Sequence, residues 1–179
     1  SAYSNEASAT TLTAPPTAVT DPATNVTHDS VRINGTVNPN GNNTTAYFEL
    51  GTDTSYELFT SSPIPVGSGT NNVIVFADIT GFSPETTYHY RVFAVNAGGT
   101  RSNGSDVSFT TNPLPGTIEV NATLNGVTWT GSVSYTISGS ETINGASAPA
   151  TFTGKQVGSY TLTYNSGGPA NAILSSITP

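Results

Sequence analysis

The sequence predicts an all-β protein: one β-sandwich followed by a second, smaller β-sandwich. Three observations lead there. Good helix formers are scarce, while Thr, Val, Tyr and Ile recur in short alternating runs. Such side chains suit a half-buried pleated surface and lose rotamer freedom in helices. Gly, Pro and Asn interrupt the runs about every 8–15 residues, the rhythm of an all-β sandwich. The run FSPETTYHYRVFAV, from Phe82 to Val95, sets an apolar residue, a Ser-Pro turn and a tyrosine directly before an alternating strand. That order carries a chain from one sheet of a sandwich to the other.

Taken in order, SAYSNEASATTL at 1–12 reads as the last strand of a preceding domain or as a leader, stopped by Pro15-Pro16. A domain over 13–112 follows. Within it THDSVRINGTVNP puts Val31, Ile33 and Val37 on one face, with Gly35 between them. TTAYFELG sets Ala46, Phe48 and Leu50 against Tyr47 and Glu49. NNVIVFADITGF sets Val73, Val75 and Ala77 against Ile74, Phe76 and Asp78. TTYHYRVFAVN sets Tyr88, Tyr90, Val92 and Ala94 against His89, Arg91, Phe93 and Val95. SDVSFTT closes the domain with Val107 and Phe109. The stretches 38–41 and 97–100 are turns. Pro63 and Pro65 confine 61–70 to an edge strand or a loop.

TNPLPG at 111–116 marks a domain boundary, a short and fairly stiff linker. Leu114 stands between two prolines of fixed φ, where an apolar side chain gains by tucking against a strand edge, with the two domains nearly end to end. The remainder, 113–179, offers Ile118, Val120, Ala122 and Leu124 in strict alternation, then Val133, Tyr135 and Ile137, then Phe152, then Tyr160, Leu162 and Tyr164, then AILSSITP. These clusters make four or five strands of about five residues, few for a closed sandwich. The second domain is therefore expected to be small and open, or trimmed.

Composition bounds the function. Four basic residues face 11 acidic ones, for a net charge of -7, which argues against nucleic acid and against a polybasic footing on a membrane. Charged residues are 8% of the chain, against about 25% in typical domains. Hydroxyls and amides supply the polarity instead, as is common on exported proteins. Cysteine is absent, which excludes disulfides, thiolate nucleophiles and Cys-ligated metal. No apolar run approaches the length of a membrane-spanning helix.

The segment from about Pro15 to Thr111 resembles a fibronectin type III domain, most closely the versions on bacterial and archaeal surface proteins. The early prolines, SVRINGTVNPNG, YFELGTDTSY, ITGFSPETTYHYRVFAVNAGGT and the closing SFTT carry the resemblance. It implies a seven-strand sandwich of immunoglobulin-like type. It also implies a tyrosine near the start of the sixth strand tied back to the preceding turn: here Tyr88, set against Phe82 and Pro84. The family's second-strand tryptophan is replaced by Ile33 or a neighbour. Residues 1–12 resemble the final strand of another such domain, and 116–179 look loosely like the carboxypeptidase-regulatory or transthyretin-like group.

No residue pattern points to catalysis. His28 and His89 lie on different segments, and no serine has a nucleophile signature, so both histidines read as surface residues. Glu49, Asp53 and Glu57 imply no cleft between paired carboxylates, and Glu49 reads as solvent-facing. GTDTSYE offers calcium only Asp53 and Glu57, and two histidines argue against a His-only zinc site. Lys155 reads as a turn lysine. Asn25, Asn34, Asn42, Asn43, Asn103 and Asn121 begin Asn-x-Ser/Thr triplets, which matter only in a glycosylating source. Tyr47, Phe93 and Trp129 are the aromatics placed to be exposed, and Tyr47 and Trp129 are the candidate ligand contacts. No catalytic residue, cofactor or metal is assigned. The expected role is a non-enzymatic spacer, scaffold or adhesion segment of a larger extracellular or cell-surface protein. Its expected partners are neighbouring domains of the same polypeptide, with cell-surface polysaccharide or protein as candidates. The competing role is a carbohydrate-binding accessory module of a secreted glycoside hydrolase.

Overall fold

The computed structural model describes residues 14–170 and 172–178, and Ile173 alone among the side chains of the last strand. The segment 1–12, read above as a strand or leader, lies outside the described residues. The chain divides after Thr111 into two compact units.

The first unit holds β1 (Thr17–Thr24), β2 (Ser30–Asn38), β3 (Thr44–Gly51), β4 (Phe59–Thr60), β5 (Ile64–Gly67), β6 (Val73–Thr80), β7 (Thr87–Asn96), β8 (Arg101–Asn103) and β9 (Val107–Thr110). One antiparallel sheet runs β1-β2-β6. The other centres on β3 and β7, with β4 and β5 flanking β3 and β8 and β9 flanking β7. The period of two puts alternate residues of each strand on the inner face. Val31, Ile33 and Val37 from β2 and Val75 from β6 meet Ala46, Phe48 and Leu50 from β3, Tyr88, Tyr90, Val92 and Ala94 from β7, and Phe109 from β9 in one core. Gly35 falls in the inward row of β2 because β7 comes close there: a Cβ would sit 2.9 Å from Val92 Cγ1 and 3.2 Å from the Val19 carbonyl oxygen.

β1 has no strand pattern in its own sequence. TAVTDPAT has little apolar alternation and a proline. Its order comes from outside itself, from pairing with β2 and from the Tyr90 hydroxyl, which donates to the Asp21 carbonyl. The register slips between Asp21 and Thr24, around Pro22.

The second unit holds β10 (Gly116–Leu124), β11 (Val127–Thr128), β12 (Gly131–Ser138), β13 (Thr142–Ala148), β14 (Ala150–Lys155), β15 (Thr161–Gly167) and β16 (Ala172–Thr178). One sheet is built on β10, which pairs with β11, β14 and β16; the other runs β13-β12-β15. Ile118, Val120 and Ala122 from the first pack with Val133, Tyr135, Ile137, Ile143 and Ala148 from the second. The described residues thus hold seven strands here rather than the four or five expected. Of the missed strands, β11 is two residues long and β13 is mostly polar or small in sequence. TINGASA buries only Ile143 and Ala148, and forms because β12 pairs with it. Tyr160 precedes β15 instead of lying in it, and Tyr164 is 54% exposed, so the expected apolar face of that strand reduces to the half-buried Leu162.

Candidate functional site

The outer face of the β3–β7 sheet gathers a connected row of charged and aromatic groups. Cross-strand register pairs Tyr47 with Phe93, Glu49 with Arg91, and Gly51 with His89. The Tyr47 and Phe93 rings stack at 5.0 Å, and the Arg101 guanidinium covers Phe93 at 3.6 Å from the ring centroid. Phe93 is therefore 8% exposed although it points away from the core, which corrects its reading as an exposed aromatic. Glu49 is likewise covered, its side chain 13% exposed. It accepts from Arg91 Nε at 2.5 Å and from Arg101 Nη2 at 2.9 Å on both oxygens, so it is not the solvent-facing residue expected.

The row continues through Arg91, whose guanidinium lies 4.5 Å over the Tyr56 ring. Tyr56 is 8% exposed and adopts a φ of 56°. This places the end of loop 52–56 against β3 so closely that Gly51 has no room for a side chain: a Cβ would lie 2.8 Å from Tyr56 Cα. The Tyr56 hydroxyl donates to Asp106 Oδ1 at 2.8 Å, and His89 Nδ1 lies 2.9 Å from Asp106 Oδ2. Burial, aided by Asp106, pushes the Tyr56 hydroxyl pKa up to about 12. Burial would raise the Asp106 carboxyl, but the hydrogen bonds from His89 and Tyr56 outweigh it and hold the group below the ordinary carboxylate range. A depressed carboxyl contributes stability above its unfolded value and loses it as pH falls through the folded one. The first unit should therefore weaken as pH falls below the ordinary aspartate value of about 4. Asp106→Asn should flatten that acid limb, read from urea midpoints at several pH values.

His89 and Asp106 are paired as a base and its orienting carboxylate would be, but among the described residues no hydroxyl is bonded to His89. His28 lies 3.8 Å from Asp29. Asp53 accepts from the Ser55 amide at 2.8 Å, closing a turn. Among the described residues no three His, Cys, Asp or Glu groups are placed to hold a metal, and no helix is long and apolar enough to cross a membrane. Lys155 ends β14 and bonds Glu141 at 3.2 Å. Trp129 is half-buried against the core of the second unit, its amide donating to the Ala122 carbonyl at 2.8 Å. Leu114, between β9 and β10, is 60% exposed.

At the base of the first unit the Ser83 amide donates to the Tyr88 hydroxyl at 3.1 Å. Phe82 packs edge-on to Tyr88 at 4.6 Å, and the Thr86 hydroxyl donates to the Pro84 carbonyl at 2.9 Å. Thr111 joins the same corner, its hydroxyl donating to the Ser83 carbonyl at 2.6 Å. Tyr88→Phe should cost about 1–3 kcal/mol by stranding the Ser83 amide. Urea unfolding against the wild type checks this; an unchanged midpoint means the corner is dispensable.

Tyr56, Arg101 and Asp106 are the members of the outer face that the sequence did not flag. Arg101 and Glu49 are 52 residues apart, and only the sheet register brings them together.

No protein-family model matches the chain, and no curated protein matches it. Among solved structures, two forms of the sensor domain of the anti-sigma factor RsgI4 from Pseudobacteroides cellulosolvens align with it. The long form is 26% identical, covering 54% of this chain and 89% of that one at a TM-score of 0.38. The short form is 24% identical, covering 56% and 98% at a TM-score of 0.42. The aligned portion is little more than half of this chain in both cases.

Proposed function

We propose that the chain is a non-catalytic spacer, scaffold or adhesion segment of a larger extracellular or cell-surface protein, and that its first unit is a fibronectin type III-like sandwich. The observation that carries the role is the engagement of all four basic side chains by carboxylates of their own unit: Arg32 with Asp78, Arg91 and Arg101 with Glu49, and Lys155 with Glu141. His89 is held by Asp106 in the same way. These groups fix sheet faces and turns. The strand order β1-β2-β6 against a sheet centred on β3 and β7, with the Tyr88 corner before β7, supports the fibronectin type III reading. The low charge and hydroxyl-rich composition support export.

One observation favours the accessory-module role: Tyr47 keeps a half-exposed ring, stiffened by stacking on Phe93. Flat, rigid aromatics of this kind suit sugar rings. A glycan array followed by calorimetry separates the two roles. The spacer role predicts no saturable binding. Saturable binding that Tyr47→Ala or Trp129→Ala abolishes would replace it with the accessory module.

A further inference from the structure

The sheet edges of the first unit are protected unevenly. β1 carries Pro22 and a slipped register. β4 has two residues, β8 three and β9 four. β5 follows Pro63 and contains Pro65. Short length, proline and bulges are the devices that keep an edge from accepting a foreign strand. β6 has none of them. It runs eight residues in unbroken register with β2 and contains neither proline nor lysine. Among the described residues it is paired on one side alone. Its outward side chains Ile74 and Phe76 are 78% and 51% exposed.

We infer that β6 is a self-association edge, which pairs antiparallel with β6 of a second copy about a two-fold axis at Val75. Strand addition of this kind draws its affinity from main-chain hydrogen bonds and its specificity from the side chains on each face. The register at Val75 is the one that the side chains complement. It sets Ile74 of each copy opposite Phe76 of the other, so four exposed apolar side chains cover one another, the cross-strand pairing that stabilises sheets. It sets Asn72 opposite Asp78 of the second copy. Asn72 Oδ1 already accepts from Asn38 Nδ2 at 3.2 Å, which leaves its own amide nitrogen to donate to that carboxylate. The stretch TNNVIVFA at 70–77 holds no charge that would repel a copy of itself. Asp78 is neutralised by two 2.7 Å bonds from Arg32, whose guanidinium lies 4.3 Å over the Phe76 ring. The contact is isologous and closes at two copies, so it gives a dimer and no fibre.

Sedimentation velocity on the whole chain, from micromolar to millimolar concentration, tests this. The weight-average mass should climb toward twice the monomer value. Ile74→Lys places a charge at the centre of the paired edge and should raise the dissociation constant by about tenfold or more. Ile74 is nearly free of the core, so the urea midpoint of that variant should stay at the wild-type value, which separates lost pairing from lost folding. Hydrogen exchange should show concentration-dependent protection in β6 and at no other edge. Monomer mass at every concentration would overturn the inference, and is the outcome expected if the edge serves a strand from a different protein. A dimer unmoved by Ile74→Lys, or protected elsewhere than β6, would overturn it as well.

Discussion

Tyr90→Ala should lower the stability of the first unit by about 3–5 kcal/mol, the range for emptying an aromatic from a packed core. Tyr90 is fully buried, with Phe48 at 6.5 Å and Phe109 at 6.1 Å between ring centroids. Its hydroxyl donates to the Asp21 carbonyl and so ties β7 to β1, a strand with little apolar sequence of its own. Burial pushes its pKa up to about 12, so the hydroxyl stays a donor throughout the neutral range. Tyr90→Phe separates the two contributions. It keeps the ring, loses the bond to β1, and should cost about 1 kcal/mol. Far-UV circular dichroism in urea reads both. With a denaturant slope of about 1–3 kcal/mol per molar, the alanine midpoint should fall by roughly 1–5 M.

Gly145→Ala should destabilise the second unit by about 1–3 kcal/mol, toward the upper end, because the added methyl has nowhere to go. β12 pairs Tyr135 with Gly145 of β13, and the tyrosine ring lies across the glycine. A Cβ there would sit 2.0 Å from Tyr135 Cζ and 2.1 Å from Cε2. Tyr135 is fully buried, its hydroxyl donating to the Ser147 carbonyl at 3.1 Å, so the ring cannot swing aside without leaving the core. Adding Tyr135→Leu makes room for the methyl. The double variant should therefore be less destabilised than the sum of the two single ones, a coupling that neighbours in contact show and distant sites do not.

The inner faces of the first unit were legible because alternation in a strand is decided by residue type alone. Ile33, Phe48, Tyr90 and Val92 are all fully buried where period two placed them. Strands that borrow their order from neighbours were not legible. TAVTDPAT and TINGASA carry too little apolar alternation, and exist because β2 and β12 offer them partners. The outer face was half legible. Alternation put Tyr47, Glu49, Arg91 and Phe93 on it. It said nothing of the register that lays Arg101 over Phe93 and against Glu49, nor of the loop that brings Tyr56 to Asp106. That is why Phe93 and Glu49 had read as open to solvent. An outward-pointing side chain is exposed only if no long side chain on the next strand lies down on it, as the arginines do here.

The two units each pack a hydrophobic core of their own. Trp129 is the chain's one tryptophan and packs on the core of the second unit, so its fluorescence reports that unit, while far-UV circular dichroism reports both. The decisive measurement is urea unfolding of Tyr90→Ala followed by the two signals together. Part of the dichroism transition should move to lower urea while the Trp129 transition keeps its wild-type midpoint. A Trp129 midpoint that falls together with the dichroism, in one coincident transition, would contradict separate stabilisation of the two units.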